Sequence, residues 1–101
     1  MRVSDLRKET KNITVQLQGV NGAVPLEVEY RWYGVDLALI DALKEVEGID
    51  KRITEIEHLV VSWDLQFDDG SMVPITRDGI KEAGLQTWHI LSILDAIYIR
   101  S

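Results

Sequence analysis

Residues 12–33 read NITVQLQGVNGAVPLEVEYRWY, and this stretch decides the fold. Apolar and polar residues alternate on both sides of Asn21-Gly22, the dipeptide that most readily forms a two-residue hairpin turn. With the turn placed there, one face of the hairpin is apolar and the other is polar. The predicted apolar pairs are Val20 with Ala23, Leu17 with Leu26, Val15 with Val28, and Ile13 with Tyr30. Because Pro25 has no amide hydrogen to donate, its part of the strand should lie at an edge or a bulge.

Beyond Gly34 the apolar spacing changes from two to three and four, which predicts helices. Leu39, Ile40, Leu43 and Val46 share one face of a first helix that Gly48 would end. A second helix should begin near Asp50, a good N-cap residue, and continue to about residue 60. Two short antiparallel helices are therefore expected.

A second small hairpin is predicted after these helices, since residues 61–67 again alternate until Asp68-Asp69-Gly70-Ser71 interrupts them. A five-residue loop, Asp68 to Met72, would pair Phe67 with Val73 and Leu65 with Ile75. Thr76 is a suitable N-cap for a short helix that continues to about Ala83.

Residues 86–99 predict a last helix that is apolar nearly all round, with His89, Ser92 and Asp95 as its few polar residues. A domain this small has little room to bury such a helix, so we expect a partner to cover part of it. The elements together predict an α+β fold: an N-terminal β-hairpin, two short antiparallel helices, a second small hairpin and an apolar C-terminal helix.

Composition narrows the class of protein. The 101 residues, 46% of them hydrophobic and 28% charged, fit a single domain covering residues 1–101. There is no cysteine, so disulfides, thiolate catalysis and cysteine-based metal sites are excluded. Eleven basic against 17 acidic residues give a net charge of −6, which argues against nucleic acid as a partner. No apolar segment resembles a secretory signal or a membrane span, so we expect a cytoplasmic protein without membrane contact.

No pattern in the sequence supports an enzyme, a cofactor or a metal. His58 and His89 belong to no recognisable catalytic motif. The acidic run around Asp69-Gly70 superficially resembles a calcium loop, but counting from Asp64 places Asp69 where the glycine should be. The cluster Tyr30-Arg31-Trp32-Tyr33 could form a contact surface, although alternation favours a place in the core for Tyr30 and Trp32.

The order of residues resembles the tail assembly chaperones of long-tailed bacteriophages. The resemblance is carried by residues 59–65 (LVVSWDL), 68–70 (DDG), 74–76 (PIT), Ile80, 93–97 (ILDAI) and 28–31 (VEYR), and it is most specific over residues 59–76. It implies a non-enzymatic protein that binds the helical tape-measure protein, assists polymerisation of the tail-tube protein around it, and leaves the finished tail. Relatives tend to carry prolines after the Tyr-Arg pair and near the last helix, where this chain has Trp32, Tyr33 and Gly84.

Within this resemblance, Trp63, Asp64 and Leu65 are expected to organise the junction between the second helix and the second hairpin, and Asp69-Gly70 to make the turn. The client should contact one stripe of the last helix, formed by Trp88, Leu91, Leu94 and Tyr98. The same stripe could instead be the domain core, because helix stripes usually pack inward. We also expect a homo-oligomer in which copies shield this helix. The rival class is a structural tail-completion or minor virion protein that remains in the particle.

Overall fold

A computed structural model describes residues 10–31 and 37–100. Within these ranges the elements are β1 (Lys11–Gly19), β2 (Gly22–Tyr30), α1 (Leu37–Leu43), α2 (Ile49–Leu59), β3 (Val60–Trp63), α3 (Arg77–Glu82) and α4 (Thr87–Arg100). The three strands form one antiparallel sheet in the order β1-β2-β3, and the predicted α+β class is confirmed.

The first hairpin forms, but its predicted register is wrong by two residues. Leu17 pairs with Val24 rather than Leu26, and Gly19 pairs with Gly22, so the turn residues are Val20-Asn21. A turn centred on Asn21-Gly22 would need positive φ at both residues. Only Gly22 has it, at 115°, and it stands one position beyond the turn. The side chains still lie on the predicted faces of the sheet. Successive side chains alternate between the two faces, so a register shift of two residues returns each one to the same face.

Pro25 lies in the central strand, yet beyond the reach of β3. The backbone N–H and C=O of Glu27 point towards β3, where they bond Asp64 at 2.9 and 3.2 Å. Since alternate residues of a strand point the same way, Pro25 directs its nitrogen to the same side. β3 pairs only with residues 28–30, so no strand among the described residues needs a donor from Pro25. This arrangement matches the predicted edge position.

The second predicted hairpin is reduced to a tight turn with one bridge, between Gln66 and Met72. Its register also differs by two residues from the prediction: the amide of Val73 donates to the carbonyl of Leu65 at 3.0 Å. Gly70, at a φ of 89°, allows a three-residue loop in place of the predicted five. Residues 60–63 meanwhile pair with β2, which the sequence pattern did not indicate.

The helix boundaries mostly follow the predicted signals. Thr76 caps α3 as expected, because its Oγ1 accepts the amide of Gly79 at 3.0 Å. The first helix ends earlier than predicted, at Leu43, so Val46 lies outside it. Gly48 precedes α2 as its N-cap residue instead of ending α1.

The core lies where α2 and α4 pack on the apolar face of the sheet. Tyr30 is buried there, as alternation indicated, while Trp32 lies outside the described residues. The least exposed side chains are Val28, Tyr30, Leu39, Ile56, Leu59, Ile80 and Ile93.

Candidate interaction surface on the last helix

α4 packs one side against β1 and α2 and leaves the opposite side exposed. Ile90, Ile93, Leu94 and Ile97 are buried. The exposed side, which we call the outer face, consists of Trp88, Leu91, Asp95, Tyr98 and Ile99. Of its apolar or aromatic members, Trp88 is 56% exposed, Leu91 41%, Tyr98 45% and Ile99 81%. At about 100° per residue the five positions fall within roughly 100° of the helix circumference, so they form one continuous strip.

His89 fixes the N-terminal end of α4 to the hairpin. Its Nδ1 accepts the backbone amide of Gln86 at 3.0 Å, and its Nε2 lies 2.8 Å from the carbonyl oxygen of Gln18 in β1. Because Nδ1 accepts, Nε2 must carry the hydrogen and donate it to Gln18. His89 therefore has a structural role, and both of its ring nitrogens form hydrogen bonds.

Tyr98 fixes the C-terminal half of α4 to α2. Its hydroxyl donates to the carboxylate of Glu55, which is only 3% exposed and also pairs with Arg52 at 2.6 Å. Burial and this hydrogen bond hold the pKa of Tyr98 above its usual value near 10. With His89 at one end and Tyr98 at the other, the outer face is presented by a helix anchored at both ends.

A cleft runs beside the outer face, between α4 and β1, with a volume of about 350 Å³. Its lining combines apolar and polar side chains: Val15, Gln16, Ser92, Asp95, Ala96 and Ile99. Asp95 is exposed, and among the described residues its carboxylate has no hydrogen bond or ion pair. It is the one charged side chain of the outer face, and it stands between apolar neighbours.

The structure separates the four residues of the predicted client-binding stripe. Trp88 and Leu91 lie on the outer face, whereas Leu94 is 2% exposed and belongs to the core. Steps of three residues turn about 300°, so two steps from Trp88 rotate Leu94 by about 120° towards the buried side. Tyr98 presents part of its ring, but its hydroxyl is already bonded to Glu55.

Asp95 and Ile99 were not predicted as members of this surface. The helical spacing does indicate them, because Asp95 lies four residues from both Leu91 and Ile99. The predicted stripe contains only apolar and aromatic residues. It therefore steps from Leu91 to Leu94 and omits both Asp95 and Ile99, which lies one helical turn beyond Asp95.

The five residues of the predicted scaffold motif make local contacts after α2. The indole Nε1–H of Trp63 donates to the carbonyl of Val73 at 2.8 Å in a buried position. Asp64 joins Glu27 of β2, and Leu65 accepts the amide of Val73. These bonds connect the end of β3 to the sheet and to the segment that precedes α3.

Asp69 and Gly70 shape the tight turn that follows. The Asp69 carboxylate accepts both the amide and the hydroxyl of Ser71, at 2.9 and 2.6 Å, and these bonds lower the pKa of Asp69. Gly70 donates its amide to the carbonyl of Phe67 at 2.9 Å. The acidic run is thus explained by turn formation, as the habits of Asp and Gly lead one to expect.

No metal-binding geometry is found in the described part of the chain: nowhere in residues 10–31 and 37–100 do three histidine or acidic side chains come together as ligands. None of the helices in those ranges has the length and apolar character that crossing a bilayer requires. Comparison of the chain with models of known protein families, with curated proteins and with solved structures finds no match.

Proposed function

We propose that this protein is a non-enzymatic tail assembly chaperone of a long-tailed bacteriophage. In this role it binds the helical tape-measure protein in the host cytoplasm and assists polymerisation of the tail-tube protein, without a cofactor. The proposal rests on the resemblance of residues 59–76, and the outer face of α4 is the observation that carries it physically. Apolar side chains that a domain leaves exposed in one continuous strip are typical of surfaces that bind other chains.

The dimensions of the outer face suit a helical client. From Trp88 to Ile99 the strip spans 11 steps, or about 16 Å at 1.5 Å per residue, which is three helical turns. A client helix that lays an apolar stripe along this strip would make contacts at i, i+3, i+4 and i+7. Trp88 is the expected anchor, because aromatic side chains dominate the energetics of such interfaces.

Self-association would use the same surface. When no client is bound, two copies could cover each other's outer faces, so we expect the isolated protein to form a homo-oligomer. Light scattering at increasing concentration measures this directly. A mass that stays monomeric at high concentration would contradict this part of the proposal.

The test of client binding is co-expression with the tape-measure protein encoded by the same genome, followed by co-purification. Trp88→Ser and Leu91→Ser should each reduce the amount of recovered client. Two exposed apolar residues outside α4 provide matched controls, Met72→Ser at 51% exposure and Val61→Ser at 40%. Equal recovery with all four variants, or no recovery of a soluble client by the unaltered protein, would contradict the proposal.

A structural tail component is the second candidate, and the position of β1 favours it. This nine-residue strand forms one edge of the sheet described above, and edge strands accept strands of neighbouring chains. Mass spectrometry of purified particles separates the two candidates. A chaperone is absent from finished particles, whereas a tail-completion or minor virion protein is present in stoichiometric amounts.

A further inference from the structure

Asp95 is the unusual member of the outer face. Leu91 and Ile99 lie one helical turn before and after it, and Tyr98 lies beside it on the same strip. Its carboxylate lines the cleft between α4 and β1, where it has no partner among the described residues. Ser92 and Gln16 also line this cleft, and both residues contain oxygen atoms that can accept hydrogen bonds.

A wholly apolar client would be a poor fit for this face. Docking it would remove the Asp95 carboxylate from water without replacing its hydrogen bonds, and an unpaired buried charge is strongly unfavourable. A client with a cation at this position would replace the lost water contacts with a charge-assisted hydrogen bond. The net charge of −6 also favours the approach of a basic segment.

The cleft favours arginine over lysine as the source of that cation. Its volume of about 350 Å³ is at the small end for ligand pockets, which suits one long side chain. A guanidinium group has five N–H donors and no acceptor, so it can bond Asp95 and the neighbouring oxygens of Ser92 and Gln16 together.

A second copy of the chain is a weaker occupant than such a client. Two-fold pairing of outer faces would bring the Asp95 carboxylates of both copies into one interface, where like charges repel. A client with a cation removes this repulsion. It should therefore displace self-association through the same face.

We propose that the segment bound by the outer face is a helix of about three turns with an apolar stripe and one arginine, whose guanidinium enters the cleft beside Asp95. This inference rests on the proposed function and specifies the chemistry of the client. Apolar contacts with Trp88 and Leu91 supply most of the affinity in this arrangement, and the ion pair at Asp95 selects the client and its position along α4.

The test measures fluorescence anisotropy of designed helical peptides titrated with the full chain. Peptides of about 18 residues are longer than the ~12–15 residues below which an isolated helix is marginal in water. Three versions carry the same leucine stripe with Arg, Gln or Glu at its centre. The Arg peptide should bind about tenfold more tightly than the Gln peptide, as expected for one charge-assisted pair. The Glu peptide should bind more weakly than either.

The Asp95→Asn variant should bind the Arg and Gln peptides about equally. Asp68→Asn is the matched control, because it removes one exposed carboxylate away from α4 and should preserve the preference for Arg. Circular dichroism verifies that both variants fold. Equal binding of all three peptides, or the same loss in both variants, would overturn the inference and leave the proposed function intact. If no peptide binds, and Trp88→Ser also leaves the recovery of co-purified client unchanged, both this inference and the proposed function would be overturned.

Discussion

Replacing Gly79 with alanine should destabilise the protein, although the same change usually stabilises a helix. Gly79 is buried in α3, and a Cβ atom added there would stand 2.3 Å from the carbonyl oxygen of Pro74. It would also lie 3.1 Å from the Pro74 Cβ atom. To reach 3.0 Å, the shortest separation that real Cβ atoms show, the Pro74 carbonyl and α3 must separate by 0.7 Å, the difference between 3.0 and 2.3 Å.

The surroundings resist that movement. The Gly79 amide is held by Thr76 at 3.0 Å, and its carbonyl accepts the amide of Ala83 at 2.9 Å. On the other side, Val73 is bonded through both its amide and its carbonyl, so the segment leading to Pro74 is fixed. Overpacking of this kind costs about 1–3 kcal/mol. The higher helix propensity of alanine offsets about 0.5–1 kcal/mol of this cost, so the free energy of unfolding should decrease by about 1–2 kcal/mol.

Urea unfolding monitored by tryptophan fluorescence measures this difference. With a slope of about 1–3 kcal/mol per molar urea, the midpoint of Gly79→Ala should fall by about 0.5–1 M. A thermal scan should show a decrease of about 5–10 °C for a chain of this length. The control is Lys81→Ala in the same helix, an exposed position where we expect a change below about 0.5 kcal/mol. A Gly79→Ala variant as stable as the unaltered protein, or more stable, would refute the close approach of Pro74 to α3.

Three further substitutions test other parts of the structure. Trp63→Phe should cost about 1–3 kcal/mol in urea unfolding, because it leaves the buried carbonyl of Val73 without its donor. The raised pKa of Tyr98 means that the folded protein retains a phenol proton which the unfolded chain loses near pH 10. That contribution to stability is complete below about pH 10 and declines as the pH rises above it. Urea midpoints at pH 9 and 11 should therefore differ less in Tyr98→Phe than in the unaltered protein. An unchanged difference would contradict the raised pKa that burial and the hydrogen bond to Glu55 produce. Val20→Ala, at a fully exposed turn position, should change the free energy of unfolding by less than about 0.5 kcal/mol, and a larger loss would be inconsistent with the Val20-Asn21 turn.

The first hairpin illustrates which features a single sequence determines. Alternation places Val15, Leu17, Leu26 and Val28 on the buried face both in the predicted register and in the observed one, because the two registers differ by two residues. The choice between those registers depends on the turn, where Asn21-Gly22 is the stronger general signal and Val20-Asn21 is the observed turn. The core of the hairpin was therefore predictable, and its partner residues were not.

The third strand shows a different limit. Residues 61–67 alternate, and the turn signal at Asp69-Gly70 that follows them predicts a local hairpin. In the structure the pairing of Trp63 is with Val28, 35 positions earlier in the chain. A pattern of alternate apolar residues identifies a strand but contains no information on which distant strand it pairs with. Non-local pairing of this kind could not be predicted from periodicity.

The last helix raises the same difficulty in another form, because a helix that is apolar nearly all round does not show which side faces the core. Its polar residues are more informative than its apolar ones. If Asp95 is taken as the centre of the solvent side, then Leu91, Tyr98 and Ile99 follow from spacings of three and four, and Leu94 is excluded because it lies about 100° away. These assignments agree with the observed exposures. The lone carboxylate of α4 thus marks the outer face in the sequence itself, and in our proposal it also selects the chemistry of the client.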